Sequence, residues 1–451
     1  MDSTKIPSVH EWLLGQGDRD DLVGSLARIV VSSSSEIREP GFDAWLAIQE
    51  DGLILKSAIE DARAQHAKCV HELQSTGHSE SFPIWFRALS DVKQAASWAK
   101  HKAQPDKTPE TYLHELHKQL RKDVESVSLL YLDTNHWIRL MNVILGRSKP
   151  ADSAYVAVLA KLRELRVQKK LICPLSFPLF HELLKQTDPK TRRQMAALID
   201  EMSAGVCIQP PNQMERLELK RQFLKALLGP TAPDMSEWVW VKVSAVVGEW
   251  LAQPTSGALP KADVRAMQKV MIDAMWETPL AALAEFMSEP APDLLEELAK
   301  AYVKDAEDYR ARGVSFERVL MEQKDIYFQQ LVASEADKIW KEIEQQFPTQ
   351  CAAFKARGSS AQGPDPSILA SVQIKAAAFA SFIVSTQTKK ILINDVTDAV
   401  HVSLALPHCD AACVDRGMAH RLTSPPLQFD KVYRARVFST PEELLNWMSL
   451  L

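Results

Sequence analysis

The chain of 451 residues contains little cysteine, and its six cysteines are scattered in mostly apolar surroundings. This distribution argues against a disulfide framework and indicates reduced thiols. The first residues lack the basic and then apolar pattern of a signal peptide. The best apolar run, from Ala376 to Val384, has nine residues and is too short to span a bilayer. We therefore expect a cytoplasmic protein without a membrane partner.

Two common catalytic signatures are also missing from the sequence. It contains neither a glycine-rich phosphate loop nor a Gly-x-Ser-x-Gly elbow, and it shows no internal repeat. The content of hydrophobic residues (46%) and of charged residues (25%) is ordinary for a globular protein. The length predicts two to three domains.

Charge is distributed unevenly along the chain. The net charge is −5, which argues against a general nucleic-acid coat, but residues 126–210 hold 12 basic and 7 acidic side chains. This is the only net-positive segment, and it suits a polyanionic substrate. An exposed helix face from Lys161 to Lys170 explains the excess equally well.

The apolar periodicity divides the chain into four segments. We predict a helical N-terminal domain over 1–125, the first half of an α/β core over 126–210, a helical insertion over 211–388, and the second half of the core over 389–451. Within the core, five short apolar runs are predicted as buried strands. They lie at 127–132, 171–175, 206–208, 411–414 and within 432–438.

Acidic residues follow two of these strands and lie in two of the helices. Asp133 and Asp415 each end a strand, and Glu182 and Asp398 lie near the starts of helices. Because parallel strands align their carboxyl ends, where the next helices also begin, all four acids are expected to meet at one edge. Clustered carboxylates repel each other unless a cation neutralises them, and Mg²⁺ or Mn²⁺ prefers oxygen ligands. The alternatives remain a helix cap for Asp133, a solvated or dipole-complementing helix acid for Glu182 or Asp398, and a turn residue for Asp415.

Four short motifs resemble the PIN-domain family of metal-dependent ribonucleases. They are Leu132-Asp133-Thr134-Asn135, Pro174-Leu175-Ser176 followed by Glu182, Asp398-Ala399-Val400-His401, and Cys413-Val414-Asp415-Arg416. The resemblance covers roughly 126–210 and 389–451. It implies a doubly wound parallel sheet flanked by helices, on which Asp133, Glu182, Asp398 and Asp415 are both the catalytic residues and the ligands of Mg²⁺ or Mn²⁺. The chain departs from the family in its long insertion and in Val414, where a hydroxyl residue is usual.

The same motifs suggest a substrate site. Asn135 matches the small polar residue after the first acid, and Lys190, Arg192 and Arg193 are candidates for gripping phosphate, although an exposed helix face is at least as good an explanation for these three. Asp395 and Asp410 are further acids that could assist. For His136, His181 and His401 we predict hydrogen bonding or packing in place of catalysis.

The resulting hypothesis is an endonuclease that hydrolyses RNA phosphodiester bonds with Mg²⁺ or Mn²⁺. By resemblance its setting is a bacterial toxin or a phage-defence effector. The helical regions would control access or bind a protein inhibitor or partner. Two alternatives stay open: a catalytically inactive PIN-like scaffold or binding module, and a DNA nuclease.

Overall fold

A computed structural model describes residues 91–247, 260–286, 294–356, 369–385 and 393–451. The predictions for 1–90 and for the start of the second core half near Ile391 lie outside these ranges. The strands are β1 Ser128–Leu132, β2 Leu171–Ile172, β3 Val206–Ile208, β4 Trp240–Lys242, β5 Ala411–Cys413 and β6 Arg436–Phe438. The helices are α1 Asp91–Lys102, α2 Pro109–Glu125, α3 Thr134–Ile144, α4 Ala154–Val167, α5 Phe177–Leu184, α6 Pro189–Ser203, α7 Pro211–Leu228, α8 Lys261–Glu277, α9 Leu280–Phe286, α10 Leu294–Ala311, α11 Phe316–Gln346, α12 Pro348–Ala356, α13 Ala370–Ser385, α14 Ile393–Ala405, α15 Arg416–Thr423, α16 Phe429–Val432 and α17 Pro441–Met448. Short 3₁₀ turns occupy Pro150–Asp152, Gly229–Thr231, Ser236–Trp238 and Val243–Val247.

The described chain is mostly helical around a four-stranded parallel sheet, which agrees with the predicted α/β class. The strand order is β2, β1, β5, β6, and every pair is parallel. Beyond β2, Leu175 hydrogen-bonds to β3 through Val206 O (2.9 Å) and Ile208 N (2.8 Å). The antiparallel strand β4 pairs with β3 on its other side. Among the described helices, none is both long and apolar enough to cross a membrane.

The central strand β1 is buried because it carries a run of large apolar side chains. Leu130, Tyr131 and Leu132 have at most 1% of their surface exposed. A strand covered on both faces requires such a continuous run, which is why the sequence predicts it well. The predicted strands at 127–132, 206–208 and 411–414 are confirmed to within one residue at either end.

Local capping interactions set the ends of helices α6 and α17. The side chain of Asp188 caps α6 ahead of Pro189, and the left-handed Ala204 (φ 55°) closes the helix. Thr440 and Glu443 form a reciprocal capping box at the start of α17. These interactions involve neighbours in sequence, so they do not depend on the distant parts of the fold.

The second strand is shorter than the predicted range 171–175. Only Leu171–Ile172 pairs with β1, whereas Leu175 bonds to β3. The last strand, Arg436–Phe438, lies within the predicted range 432–438, and the residues before it include the helical turn α16. Phe429 is buried in this turn and its ring lies 5.5 Å from that of Tyr433.

Part of the predicted insertion packs onto the second half of the core. Helices α7, α11, α12 and α13 share one apolar cluster, and α13 in turn packs against α14. The buried members of this apolar cluster are Leu219, Leu224, Phe328, Leu331, Ile339, Ile343, Cys351, Leu369 and Val372. The helices of this block therefore stabilise the element that carries Asp398.

The described residues divide into two compact units. One unit comprises 91–116 and 260–283, where the carboxylate of Asp273 on α8 accepts hydrogen bonds from Ser97 Oγ (2.6 Å) and His101 Nε2 (2.9 Å) on α1. The other comprises the described residues of 117–246 and from 284 onward, including the sheet. The boundaries of the four segments inferred from the sequence stay predictions.

Candidate functional site

The two strand-ending aspartates lie at the same edge of the sheet. In the parallel pairing of β1 with β5, Leu132 is opposite Cys413. Asp133 follows Leu132 directly, and its N–H donates to Cys413 O at 3.0 Å. Asp415 comes two residues after Cys413. This register brings the two acids to the carboxyl edge although about 280 residues separate them in the chain.

Both aspartates also cap the helices that follow them. Oδ1 of Asp133 accepts the His136 N–H (3.2 Å), and Oδ1 of Asp415 accepts the Met418 N–H (2.9 Å). The capping role and the site role are compatible, because a carboxylate has a second oxygen free of the cap. The helix N-termini add a partial positive charge at this edge.

Glu182 and Asp398 reach the same edge from two helices. Glu182 lies off the apolar face of α5, as predicted, and its Oε2 accepts a hydrogen bond from Thr134 Oγ1 on α3. The same oxygen lies 3.6 Å from His401 Nε2 on α14. Asp398 stands one turn before His401 on α14. The inner face of α14 is formed by buried residues, namely Ala399, Val402, Ser403 and Leu406.

The charges of the neighbouring acids affect the pKa values of Asp398 and Asp133. The pKa of Asp398 is raised to about 7, chiefly by burial and also by the charges of Asp415, Asp133 and Glu182, while His401 lowers it. Burial also raises the pKa of Asp133, and the Asp415 carboxylate adds to this. Each negative charge here disfavours the next, which is the condition that a cation relieves.

The donor set suits a hard cation, although the side chains are not arranged as a finished ligand shell. In the parts of the chain that the structure describes, no three His, Cys, Asp or Glu side chains are positioned to hold a metal ion. Carboxylate oxygens are nevertheless what Mg²⁺ and Mn²⁺ prefer. The pKa values of Asp398 and Asp133 are raised first by burial and in addition by neighbouring carboxylates, and a bound cation would offset both effects.

The predicted substrate residues lie at the starts of two helices. Asn135 is exposed in the first turn of α3, beside Asp133. Lys190, Arg192 and Arg193 lie in the first turns of α6, which runs back to the amino end of β3, so its start lies toward the carboxyl edge. Arg192 donates weakly to Gln186 O (3.4 Å), and Arg193 pairs with Glu285 (2.5 Å). Arg193 is therefore partly neutralised.

One of the two additional acids is not at the site. Asp410 precedes β5, and its carboxylate accepts the Leu129 N–H (2.8 Å) at the amino half of β1. It joins strands at the opposite end of the sheet, so the suggestion that it assists the other acids is wrong. Asp395 lies in the first turn of α14. Burial lowers the pKa of Arg421, and the nearby charge of Asp395 partly opposes this shift.

Several polar residues of the site were not singled out from the sequence. Tyr131 is fully buried in β1 and hydrogen-bonds to His401 Nδ1 and to Ser176 Oγ (2.7 Å). Arg421 on α15 lies near Asp415 and donates to Ser381 O (3.1 Å). A tyrosine within an otherwise aliphatic strand was the available signal for the first; no local pattern marks the second. The hydrogen-bonding role predicted for His136 and His401 is confirmed, and His181 stacks on Phe177.

Comparison of the chain with known protein families, with curated proteins and with solved structures gave no match.

Proposed function

We propose that this protein is an endonuclease that hydrolyses RNA phosphodiester bonds with the help of Mg²⁺ or Mn²⁺. The observation that carries the proposal is the convergence of Asp133, Glu182, Asp398 and Asp415 on one sheet edge from four separate elements. A cluster of partly buried acids costs folding free energy, and such clusters are often found at functional sites. The motifs that resemble PIN-domain nucleases contain these same four acids.

The residues of the chain have distinct parts in this proposal. Asp133 and Asp415, each anchored through one oxygen to a helix N-terminus, would hold the ion directly. Glu182 and Asp398 would complete the site. When bound, the ion supplies positive charge that stabilises the charge developing on a phosphoryl group. The pKa of Asp398 is raised to about 7, so its carboxyl group is about half protonated near neutral pH when no ion is bound.

The net-positive segment supports a polyanionic substrate. Lys190 and Arg192 lie at the start of α6, toward the carboxyl edge of the sheet, where they would contact phosphates on either side of the cleaved bond. Asn135 is exposed next to Asp133 and would contact the RNA at the phosphodiester bond that is cleaved. The bacterial toxin or phage-defence setting is proposed from the resemblance alone.

The test compares purified wild-type protein with Asp133→Asn and Asp410→Asn on single-stranded RNA in the presence of Mn²⁺. Asp410 is a matched control, since it also flanks a strand but lies at the other end of the sheet. We expect wild type and Asp410→Asn to cleave similarly and Asp133→Asn to lose about 100-fold or more, because metal-assisted charge stabilisation amounts to several kcal/mol.

Other results would refute the proposal in distinct ways. Equal cleavage by wild type and Asp133→Asn would exclude this site. Cleavage of single-stranded DNA in place of RNA would establish the DNA nuclease alternative. Absence of both cleavage and Mn²⁺-dependent thermal stabilisation would favour the inactive scaffold, because a bound ion must stabilise the folded state.

A further inference from the structure

A continuous chain of buried polar side chains leads from the core to Glu182. Ser176 Oγ lies 2.7 Å from Tyr131 Oη, and Tyr131 Oη hydrogen-bonds to His401 Nδ1. His401 Nε2 then faces Glu182 Oε2 at 3.6 Å. We call Ser176, Tyr131 and His401 the polar chain. Its members come from the N-cap of α5, from β1 and from α14.

The polar chain is buried, so each of its polar groups needs a partner. Tyr131 and Ser176 have no exposed surface, and His401 has 2%. Each buried polar group costs about 1–3 kcal/mol unless it is paired, whereas apolar residues fill a core without that requirement. Every member of the polar chain is paired, and the sequence of contacts ends on an acid of the proposed site. This indicates a role in setting the geometry of that acid.

The carboxylate of Glu182 accepts hydrogen bonds and cannot donate them, so it favours a hydrogen on Nε2 of His401. Two arrangements of the Tyr131 contact meet this requirement. In the first, Tyr131 donates to Nδ1 and the neutral ring carries its hydrogen on Nε2. In the second, the ring carries both hydrogens and Nδ1 donates to Tyr131 Oη, which can donate to Ser176 Oγ.

We propose that His401 is a positioning residue for Glu182 and that Tyr131 fixes the orientation of its ring. This inference rests on the proposed function. Thr134 Oγ1 donates to the same oxygen of Glu182 that His401 faces, so Oε2 is engaged from two sides and Oε1 is left for the ion. A glutamate has three rotatable side-chain bonds, and restricting them holds the carboxylate ready for the ion.

His136 differs from His401 in what its ring contacts. Its Nδ1 hydrogen-bonds to Tyr155 Oη (2.6 Å), but its Nε2 is nearer to Val414 O (3.4 Å) than to Asp133 Oδ1 (3.9 Å). His136 therefore supports the end of β5 as much as it contacts an acid, and the positioning role is assigned to His401 alone.

The experiment measures Mn²⁺ affinity by calorimetry on the full-length protein and needs no activity readout. We expect His401→Ala to weaken Mn²⁺ binding about 10- to 100-fold, which is typical of partners that orient metal ligands. His401→Gln should recover part of the loss, because its amide retains a donor. Tyr131→Phe keeps the ring in its buried position and removes the hydrogen bonds to His401 and Ser176, so a loss of roughly 2- to 10-fold is expected. His408→Ala is the matched control, because the ring of the half-buried His408 packs on Trp240, and the affinity of this variant should equal that of wild type.

A double-mutant cycle separates positioning from a general structural effect. In a Glu182→Gln background, His401→Ala should change the affinity by less than about 2-fold, because the partner through which it acts is gone. Equal losses in both backgrounds would overturn the inference, as would wild-type affinity in both His401→Ala and Tyr131→Phe. If wild type binds Mn²⁺ and Asp133→Asn does not, the proposed site stands whatever the His401 variants show. If wild type binds no Mn²⁺, the proposed function and this inference fail together.

Discussion

Replacing Asp398 with asparagine should stabilise the metal-free protein, and more so at high pH. The carboxyl group has a pKa of about 7 in the folded protein against an ordinary value of 3.8, because of burial and then the charges of Asp415, Asp133 and Glu182. The folded state therefore holds this proton more tightly than the unfolded state. The protonated carboxyl group of Asp398 therefore contributes stability that is fully present below about pH 4 and is lost as the pH rises through about 7.

The size of the effect follows from the two pKa values. A difference of about three pKa units corresponds to about 4 kcal/mol once the group is fully ionised in both states, and to about 2 kcal/mol at pH 5. Asparagine keeps the shape of the side chain and cannot ionise. We therefore expect Asp398→Asn to be more stable than wild type by up to about 4 kcal/mol at pH 8 and by about 2 kcal/mol at pH 5.

Urea denaturation with EDTA at pH 5 and pH 8 measures both differences. Asp325→Asn, which changes an exposed acid on α11, is the control and should show no comparable gain. A gain that is as large at pH 5 as at pH 8, or no gain at all, would refute the reasoning. Adding Mn²⁺ should then stabilise wild type more than Asp398→Asn, because the variant has lost a negative charge.

Four further substitutions test the site and its surroundings. Gly417→Ala would bring a Cβ atom to 3.0 Å from Asp415 Oδ1, so we expect about 10-fold weaker Mn²⁺ binding by calorimetry while the urea midpoint shifts by under about 1 kcal/mol, since alanine favours the helix. Lys190→Ala and Arg192→Ala should weaken RNA binding and lower the salt slope of the binding constant by about 0.7 each; an unchanged slope would exclude phosphate contact. Thr440→Ala removes the capping box of α17 and should cost about 1 kcal/mol in urea denaturation without changing RNA cleavage; a loss of cleavage would contradict a purely structural role.

Elements fixed by local chemistry could be predicted from the sequence. Strands β1 and β3 are short apolar runs bounded by polar residues, and α6 and α17 begin at a capping side chain followed by proline. Asp133 and Asp415 could be assigned to one edge because strands of a parallel sheet share a direction. Each of these inferences uses residues within a few positions of one another, together with one general rule about sheets.

The tertiary structure decided what depends on contacts between distant residues. Asp410 lies only five residues before Asp415, yet the strand between them carries it to the opposite end of the sheet, where it binds the Leu129 N–H. The link from Tyr131 through His401 to Glu182 joins three elements, and no local pattern reveals such a pairing. Strands and helices can be predicted from neighbouring residues. The hydrogen-bond partners of a buried polar group, in contrast, are distant side chains that only the fold brings into contact with it.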